Sequence, residues 1–266
     1  MRDMKRYILS VILMVVVAVC RMYGQSVTDE TLTYGVMFKW GIIEKEAGLI
    51  QLRTEVNREE GYFTSVMTGA STSIADKIYT VRDTLRGKIM LESLEPVYYE
   101  KIAHEGGEFR RDEINYTRDG SGEVSARTIL EKVDKKGNLT TGENLHTASG
   151  ITLDMLSAFY YMRHLDYENM HEGESAVFNI FSAKRKELLR ITYLGKADLK
   201  IGNNGAPVPT YHISFTFTYN DKKKAQSSDP IEAWMAQDET RTPYQVTGKL
   251  PIGKIRCRLK TKQTGL

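Results

Sequence analysis

Four charged residues are of types that could form a specific binding site: Asp83, Arg163, Asp238 and Arg241. The arginine guanidinium is a planar fork that can bind a carboxylate or a phosphate through two hydrogen bonds. If the fold brings these four residues together in a cleft, the polar cluster could hold an anionic head group. The alternative, which we favour, is a structural ion-pair network that ties a helix to a sheet, because buried charges are normally paired for structural reasons.

Five aromatic residues form a second candidate site: Tyr34, Phe38, Trp40, Tyr160 and Trp234. If the protein is a curled sheet, these rings are expected to line its concave side as ligand-binding residues. A roomy apolar pocket with a few polar groups at its mouth is the usual form of a lipid or small-ligand site. Core packing is the competing interpretation, because aromatic rows on strands bury much apolar area.

Catalytic and metal-binding motifs are not found in the sequence. The histidines at positions 104, 146, 164, 171 and 212 show no metal-ligand spacing and lie near no cysteine, and no Gly-x-Ser-x-Gly motif is present. Cys257 alternates with Ile255 and Leu259, which predicts a buried, inert thiol. We therefore expect no catalytic residue, no metal and no cofactor, and a protein that is not an enzyme.

The elements that must position these residues are mainly β-strands. Apolar residues alternate with polar ones from Leu32 to Trp40, from Tyr211 to Tyr219 and from Ile255 to Leu259, which indicates antiparallel strands with one buried face. Short polar turns separate further candidate strands, among them 75–84, 88–93, 187–194 and 196–202. Because twist accumulates in a large sheet, we expect strong curling into an open barrel or a wrapped sandwich.

One segment shows helical spacing instead. Leu153, Leu156, Tyr160 and Leu165 recur at helical intervals, and Thr152 could cap the first turn. We predict one substantial helix at about 152–166, packed on the concave side of the sheet. The polar stretch 138–150 before it is the best candidate for a boundary, yet one continuous sheet is favoured over two domains.

The N-terminus has the pattern of a secretory signal peptide. Basic residues precede an apolar run from Tyr7 to Val19, which is too short to span a bilayer. We predict cleavage after Gly24, giving a signal peptide at 1–24 and a single β-rich domain at 25–266, with no transmembrane span in the mature chain. Lipidation of Cys20 stays open, although Val19 and Arg21 beside it do not suit a lipoprotein signal.

The charge balance changes when this segment is removed. Residues 1–24 contain four of the 37 basic residues and one of the 34 acidic ones, so the mature chain has equal numbers of each. The basic isoelectric point therefore gives no argument for nucleic acid or for an anionic membrane as a partner. Only Cys257 remains after cleavage, which excludes an intramolecular disulfide.

Several pieces of the chain, in this order and spacing, resemble the exported bacterial proteins grouped as domain of unknown function 3108. The matching pieces are Leu32 to Gly41 with Ala47 and Gly48, Ile78 to Asp83, Leu94 to Tyr99, Leu156 to Arg163, Trp234 to Asp238 with Arg241 and Pro243, and Pro251 to Gly253. The resemblance implies a β architecture and a location in the cell envelope. It implies no established reaction.

These observations predict an exported, non-enzymatic protein of the bacterial cell envelope that binds an apolar or amphiphilic ligand in the concave side of the sheet. A lipid or a lipidated chain is the expected ligand, and the periplasm the expected location, with association with the outer membrane left open. The alternative is a structural or interaction module that holds a partner protein or a cell-wall polymer. Nucleic acid is not expected as a partner.

Overall fold

A computed structural model describes residues 27–201, 206–221, 224–250 and 253–265 of the chain. The predicted signal peptide, its cleavage point and Cys20 lie outside the described residues. The described elements are one helix, α1 (Met155–Arg163), a short 3-10 turn (Ala75–Lys77), and the strands β1 (Glu30–Trp40), β2 (Ile43–Asn57), β3 (Tyr62–Ser71), β4 (Val81–Met90), β5 (Pro96–Glu105), β6 (Glu108–Arg118), β7 (Glu123–Val133), β8 (Leu139–Ser149), β9 (Thr152–Leu153), β10 (Ser175–Phe181), β11 (Lys186–Lys200), β12 (Pro207–Asp221), β13 (Lys224–Ser227), β14 (Ile231–Ala236), β15 (Pro243–Lys249) and β16 (Lys254–Thr264).

All of these strands belong to one sheet, and nearly all neighbours are antiparallel. Its order is β8-β7-β6-β5-β4-β3-β2-β1-β16-β15-β14-β12-β11-β10-β9, with β13 paired to β12 beside this path. Only the short β9 runs parallel to its neighbour β10 among the described pairs. The N-terminal strand β1 therefore lies in the middle, where it pairs with β2 on one side and with the C-terminal β16 on the other.

The two margins of the sheet come together, which gives a nearly closed barrel. Asn179 Nδ2 on β10 donates to the Ser149 carbonyl oxygen at the end of β8, at 2.9 Å. The Ala183 carbonyl oxygen, just after β10, accepts from Thr128 Oγ1 at 2.9 Å and from Asn144 Nδ2 at 3.0 Å. These side-chain bonds form the seam of the barrel. The predicted fold class, a strongly curled antiparallel sheet with one helix, is confirmed.

The helix lies inside this barrel, so that Leu156, Tyr160 and Tyr161 are all buried in the core. Asp154 caps it: its Oδ1 accepts from the backbone N–H groups of Leu156 at 2.8 Å and Ser157 at 2.7 Å. Ser157 Oγ accepts in return from the Asp154 backbone N–H at 2.8 Å, which completes a capping box. The prediction of a cap at Thr152 was wrong, because Thr152 pairs in β9 and the helix begins three residues later.

Three of the predicted boundaries also differ from the structure. The polar stretch 138–150 is no linker but strand β8, whose mostly exposed residues lie at the margin of the sheet. Segments 75–84 and 88–93 are a 3-10 turn followed by the single strand β4. Segments 187–194 and 196–202 are likewise one strand, β11, in which the register shifts at Gly195.

Candidate functional site

An apolar cavity of about 430 Å³ opens at the end of the barrel where β1 ends and β2 begins. Strands β1 to β4 and β16 form its wall, and the segment 72–80 between β3 and β4 lies over it. The lining is mainly aliphatic and aromatic, and its members include Val36, Phe38, Ala47, Gly48, Ile50, Met67, Gly69, Leu85 and Ile255. A volume of this size lies in the range of small-molecule sites.

The register of β3 and β4 explains why the barrel is hollow here. The interior pairs Gly69 with Asp83 and Met67 with Leu85 line the cavity. The next interior pair, Ser65 with Gly87, contacts the helix instead. Tyr160 Oη donates to Ser65 Oγ at 2.9 Å, and a Cβ at Gly87 would lie 3.2 Å from Leu156 Cδ1. The helix therefore fills the barrel up to Gly87 and leaves the remaining length unfilled.

Asp83 is the charged residue of the cavity lining. Its Oδ2 lies 3.4 Å from Lys101 Nζ, whereas its buried Oδ1 has no hydrogen-bond partner among the described residues. Burial, together with a hydrogen bond to Glu105, raises the pKa of Asp83, while Lys101 lowers it less. The apolar wall thus has one carboxyl group, which contacts Lys101 and Glu105 and could also accept a hydrogen bond from a ligand.

The segment over the cavity is held in place by a small polar network. Asp76 accepts a bidentate pair from Arg82, with Nη2 to Oδ2 at 2.7 Å, and also accepts from Ser71 Oγ. The Tyr79 ring lies against Gly106, which has a positive φ of 57° and where a Cβ would come within 2.4 Å of the ring, so glycine is favoured there. Tyr79 and Ile78 nonetheless remain 50% and 90% exposed, which shows that the cavity opens to solvent beside them.

A larger groove of about 770 Å³ lies at the opposite end of the barrel, on its outer side. It is lined mostly by polar and charged groups such as Asp29, Glu55, Arg58 and Glu59. Apolar ligands require apolar walls, so we regard the smaller cavity as the candidate site.

The five predicted ligand-binding aromatics are dispersed in the structure. Phe38 alone lines the cavity, while Tyr34 and Tyr160 are buried in the core. Trp40 continues the same face of β1 beyond the cavity and is 62% exposed. Trp234 lies on the outer face, stacked on His212 with ring centroids 4.5 Å apart, because Ala233 and Met235 occupy the interior positions of β14.

The predicted polar cluster is divided between the two ends of the barrel. Asp83 lies in the cavity wall, whereas Arg163, Asp238 and Arg241 lie at the opposite end. Arg163 is buried, pairs with Glu30 and donates to the Thr240 carbonyl oxygen at 3.0 Å. This arrangement matches the structural interpretation of the arginines: each one ties the helical segment to the sheet rather than facing the cavity.

The loop after β14 shows how the remaining two residues serve this purpose. Asp238 Oδ1 accepts from the backbone N–H groups of Thr240 at 2.9 Å and Arg241 at 3.2 Å. Arg241 has a positive φ of 44° and is almost fully buried. Its guanidinium donates to the Leu165 carbonyl oxygen at 2.8 Å and lies over the rings of Tyr167 and Tyr211.

Sequence reasoning missed most of the cavity lining and both main charged partners, Lys101 and Glu30. Gly69 and Met67 belong to a strand in which polar and small residues obscure the alternation. Only the three-dimensional register shows that these positions face inward. To identify Met67 and Gly69 as cavity-lining residues, and the segment 72–80 as the cover of the cavity, one would need to know how far the helix extends into the barrel.

The remaining reactive groups give no second site in the described part of the chain. No group of three histidine, cysteine, aspartate or glutamate residues there could hold a metal ion. Burial raises the pKa of the Cys257 thiol to about 11, so it is predominantly protonated at neutral pH. No helix within the described ranges is long and apolar enough to cross a bilayer.

Comparison with known proteins supports the fold and identifies a family. The fold is similar to that of a beta-barrel-like protein of domain of unknown function DUF1849 from Brucella abortus, with a TM-score of 0.59 and 7% identity, covering 91% of this chain and 100% of that one. Among curated proteins no match was found. The model of the family described as "Protein of unknown function (DUF3108)" matches residues 31–260. The chain therefore belongs to the DUF3108 family.

Proposed function

We propose that this chain is an exported, non-enzymatic protein of the cell envelope that binds an apolar or amphiphilic ligand in the cavity between β1 to β4 and β16. The observation that carries the proposal is the cavity itself, which has a nearly continuous apolar lining and an opening beside Ile78 and Tyr79. A protein that used these side chains only as a core would gain more stability by filling the space. A lipid or a lipidated chain fits a cavity of this chemistry.

Asp83 supports an amphiphilic rather than a purely apolar ligand. Among the described residues it is the one charged residue of the cavity lining, and a carboxylate oxygen beside the cavity can accept a hydrogen bond from a ligand. A hydroxyl or ammonium group on the ligand would donate a hydrogen bond to it. The two arginines that an anionic head group would require lie at the other end of the barrel, so we place a donor and not an anion beside Asp83.

Export is the second part of the proposal and rests on residues 1–24. If the protein is produced in a bacterial host with its complete N-terminus, the mature chain is expected in the periplasmic fraction with Gln25 as its first residue. Mass spectrometry of the purified protein tests this directly. Retention of the N-terminal segment in a cytoplasmic protein would contradict it.

A cavity-filling variant tests ligand binding. Gly69 lines the cavity, and within 4 Å a Cβ there would meet only Ile50 Cγ1, at 3.9 Å. Gly69→Leu should therefore place a side chain in the open space with little strain. We expect it to weaken binding of the fluorescent probe 1-anilinonaphthalene-8-sulfonate by roughly tenfold or more, since a leucine-sized apolar contact is lost.

Gly142→Leu is the matched control, because Gly142 lies on the marginal strand β8, where a Cβ would only touch Leu130. Dodecan-1-ol, whose hydroxyl can donate to Asp83, should displace the probe from the wild-type protein and from this control. Equal binding by Gly69→Leu and Gly142→Leu would contradict the proposal. So would a wild-type protein that binds neither compound.

The alternative function, an interaction module, has one structural feature in its favour. Strand β8 exposes Leu139 and Leu145 and is joined to β10 by side-chain bonds instead of a β-ladder, so a partner protein could add a strand there if the seam opened. Crosslinking in cells distinguishes the two functions. A module should give one dominant protein partner through β8, whereas a ligand carrier should be recovered with bound lipid.

A further inference from the structure

The cavity opens in the middle of an exposed apolar surface. Trp40, Ile42 and Ile43 form the tip of the β1–β2 hairpin, and Ile42 is fully exposed. Ile74, Ile78 and Tyr79 lie on the segment over the cavity, which is tied to the hairpin by the bond from Thr72 N–H to the Ala47 carbonyl oxygen at 2.9 Å. We call these six residues the apolar rim. Contiguous exposed apolar groups of this kind mark an interaction surface.

The charges around the apolar rim are almost entirely positive. Its carboxylates are neutralised, since Glu44 pairs with Arg256 at 2.6 Å, Glu46 with Lys260 at 2.7 Å, and Asp76 with Arg82. In contrast, five exposed lysines there form no ion pair within the described residues. They are Lys39 and Lys45 on the hairpin, Lys77 beside Ile78, and Lys249 and Lys254 on the neighbouring β15–β16 connection.

The opposite end of the barrel has the reverse character. Exposed carboxylates without an ion pair in the described ranges lie on the turns there, namely Glu59, Glu60, Glu92, Asp119, Glu172 and Asp238. The antiparallel register places all of these turns away from the β1–β2 tip. The charge is thus uneven along the axis: despite Asp229 at the rim end and Lys196 and Lys200 towards the other, lysines without an ion pair are concentrated around the rim, so a negatively charged surface would attract that end more strongly.

We propose that the apolar rim and its five lysines dock the barrel on an anionic phospholipid bilayer, with the cavity mouth against the membrane. Apolar side chains would enter the interface, and Trp40 and Tyr79 suit the headgroup level, where aromatic rings concentrate. The lysines would face the anionic headgroups, each contributing roughly fivefold to the partition. This inference extends the proposed function, because it names the surface from which an amphiphile would enter the cavity.

A bilayer fits these observations better than a protein partner. The rim lysines lie on both sides of the apolar tip and are not placed opposite particular carboxylates, so they suit a laterally uniform negative surface. The rim is also a set of protruding hairpin tips rather than a groove, and a protruding apolar tip inserts into a headgroup layer more readily than it packs on another folded surface. A soluble protein partner is therefore treated as an outcome of the test.

The test is flotation of the mature chain with vesicles of phosphatidylcholine alone or mixed with an equal part of phosphatidylglycerol. Wild-type protein should float mainly with the mixed vesicles and should be released as salt is added. Lys39→Gln with Lys45→Gln should lower the partition by about 25-fold. Lys196→Gln with Lys200→Gln is the control: these exposed lysines lie on β11 towards the end of the barrel away from the rim, so their replacement should leave the partition unchanged.

The apolar contribution is tested with Ile42→Ser combined with Ile74→Ser, two rim residues outside the cavity lining. Both side chains are exposed, so their replacement should not alter folding, yet the partition should fall by roughly tenfold or more. Leu145→Ser with Val177→Ser, exposed apolar residues on other strands, is the matched control. Absence of vesicle binding, equal binding to neutral vesicles, or equal loss in the control variants would overturn the proposal, as would rim-dependent binding to a soluble protein alone.

Docking and cavity binding can fail separately. Gly69→Leu fills the cavity but leaves the rim intact, so it should float with anionic vesicles like the wild type. The Ile42→Ser and Ile74→Ser variant should still bind 1-anilinonaphthalene-8-sulfonate, because neither residue lines the cavity. If flotation is lost while probe binding persists, the docking surface is supported without reference to the ligand.

Discussion

At the scale of single residues, the most informative group is the helix cap Asp154. Burial raises its pKa to about 6, although hydrogen bonds from Ser157 and Leu156 oppose the shift. Between its ordinary pKa of 3.8 and this value, the folded protein holds a proton that the unfolded chain has released. Asp154 therefore lowers the free energy of unfolding as pH rises through this window, by roughly 3 kcal/mol at most.

Asp154→Asn should remove this dependence while keeping an oxygen acceptor for the cap. Relative to the wild type, we expect the variant to gain stability progressively from pH 4 to pH 7 and to show little further gain above that. Urea denaturation at a series of pH values measures the difference. If the free energies of unfolding of the wild type and the variant change in parallel from pH 4 to pH 7, Asp154 is not protonated in the folded protein.

The buried pair of Arg163 and Glu30 is the second residue-scale determinant. Glu30→Gln leaves the guanidinium with the Thr240 carbonyl oxygen as its main partner, and an uncompensated buried charge costs about 3–5 kcal/mol. Replacing both residues, Glu30→Leu with Arg163→Met, should be less damaging than this single change. Thermal unfolding tests the order, with Glu143→Gln in the exposed pair with Arg127 as a control that should change little.

At the scale of elements, β11 depends on a glycine in its interior. Gly195 has a φ of 103° at the point where the register with β12 shifts, and a Cβ there would lie 2.3 Å from Glu172 Oε1. Gly195→Ala should therefore destabilise the protein by roughly 1–3 kcal/mol. Gly142→Ala, at a position with ordinary φ and room for a Cβ, should not. Chemical denaturation of both variants measures the difference, and equal stabilities would contradict the role of the bulge.

The same glycine explains one limit of prediction from the sequence. Alternation correctly identified β1, β12 and β16, because in these strands one face is apolar at nearly every position. It divided β11 at Gly195, since a bulge reverses the phase of the alternation without ending the strand. It missed β8, because a marginal strand with little burial shows no apolar periodicity.

The site was less predictable than the fold for a related reason. Whether an inward residue lines a cavity or packs in a core depends on where α1 stops inside the barrel, and no local pattern reports that distance. Phe38 and Tyr34 are two residues apart on the same face of β1, yet the first lines the cavity and the second is buried in the core. The exposed Trp40 continues the same row, so a single periodic pattern passes through core, cavity and rim.

At the scale of the whole molecule, the difference in charge between the two ends of the barrel cannot be seen from the net charge of the chain. The chain after position 24 has equal numbers of acidic and basic residues, so its net charge gives no reason to expect an anionic partner. A zero net charge excludes such a partner only if the charges are evenly distributed over the surface. The antiparallel meander collects alternate turns at opposite ends, so many turn lysines and turn carboxylates that are mixed along the sequence become concentrated at different ends. Electrostatic attraction depends on that separation.

The seam between β8 and β10 is the remaining property of the whole molecule, and it predicts where the barrel opens. Strand β8 pairs with β7 on one side only, and its other side is held by the side-chain bonds of Asn144 and Asn179. The central strand β1 is paired on both sides. Hydrogen exchange followed by mass spectrometry should therefore be faster in β8 than in β1.

Asn144→Ala with Asn179→Ala should accelerate exchange in β8 further and leave β1 unchanged, because the ladder bonds of the sheet are not altered. Thr141→Ala, an exposed change on the same strand away from these bonds, is the control. Equal protection of β8 and β1 in the wild type would mean that the barrel behaves as closed. If the seam opens locally instead, the cavity wall formed by β1 to β4 can remain ordered while the strands at the seam move. This is because the seam joins the two ends of the strand order, whereas β1 to β4 lie in its interior.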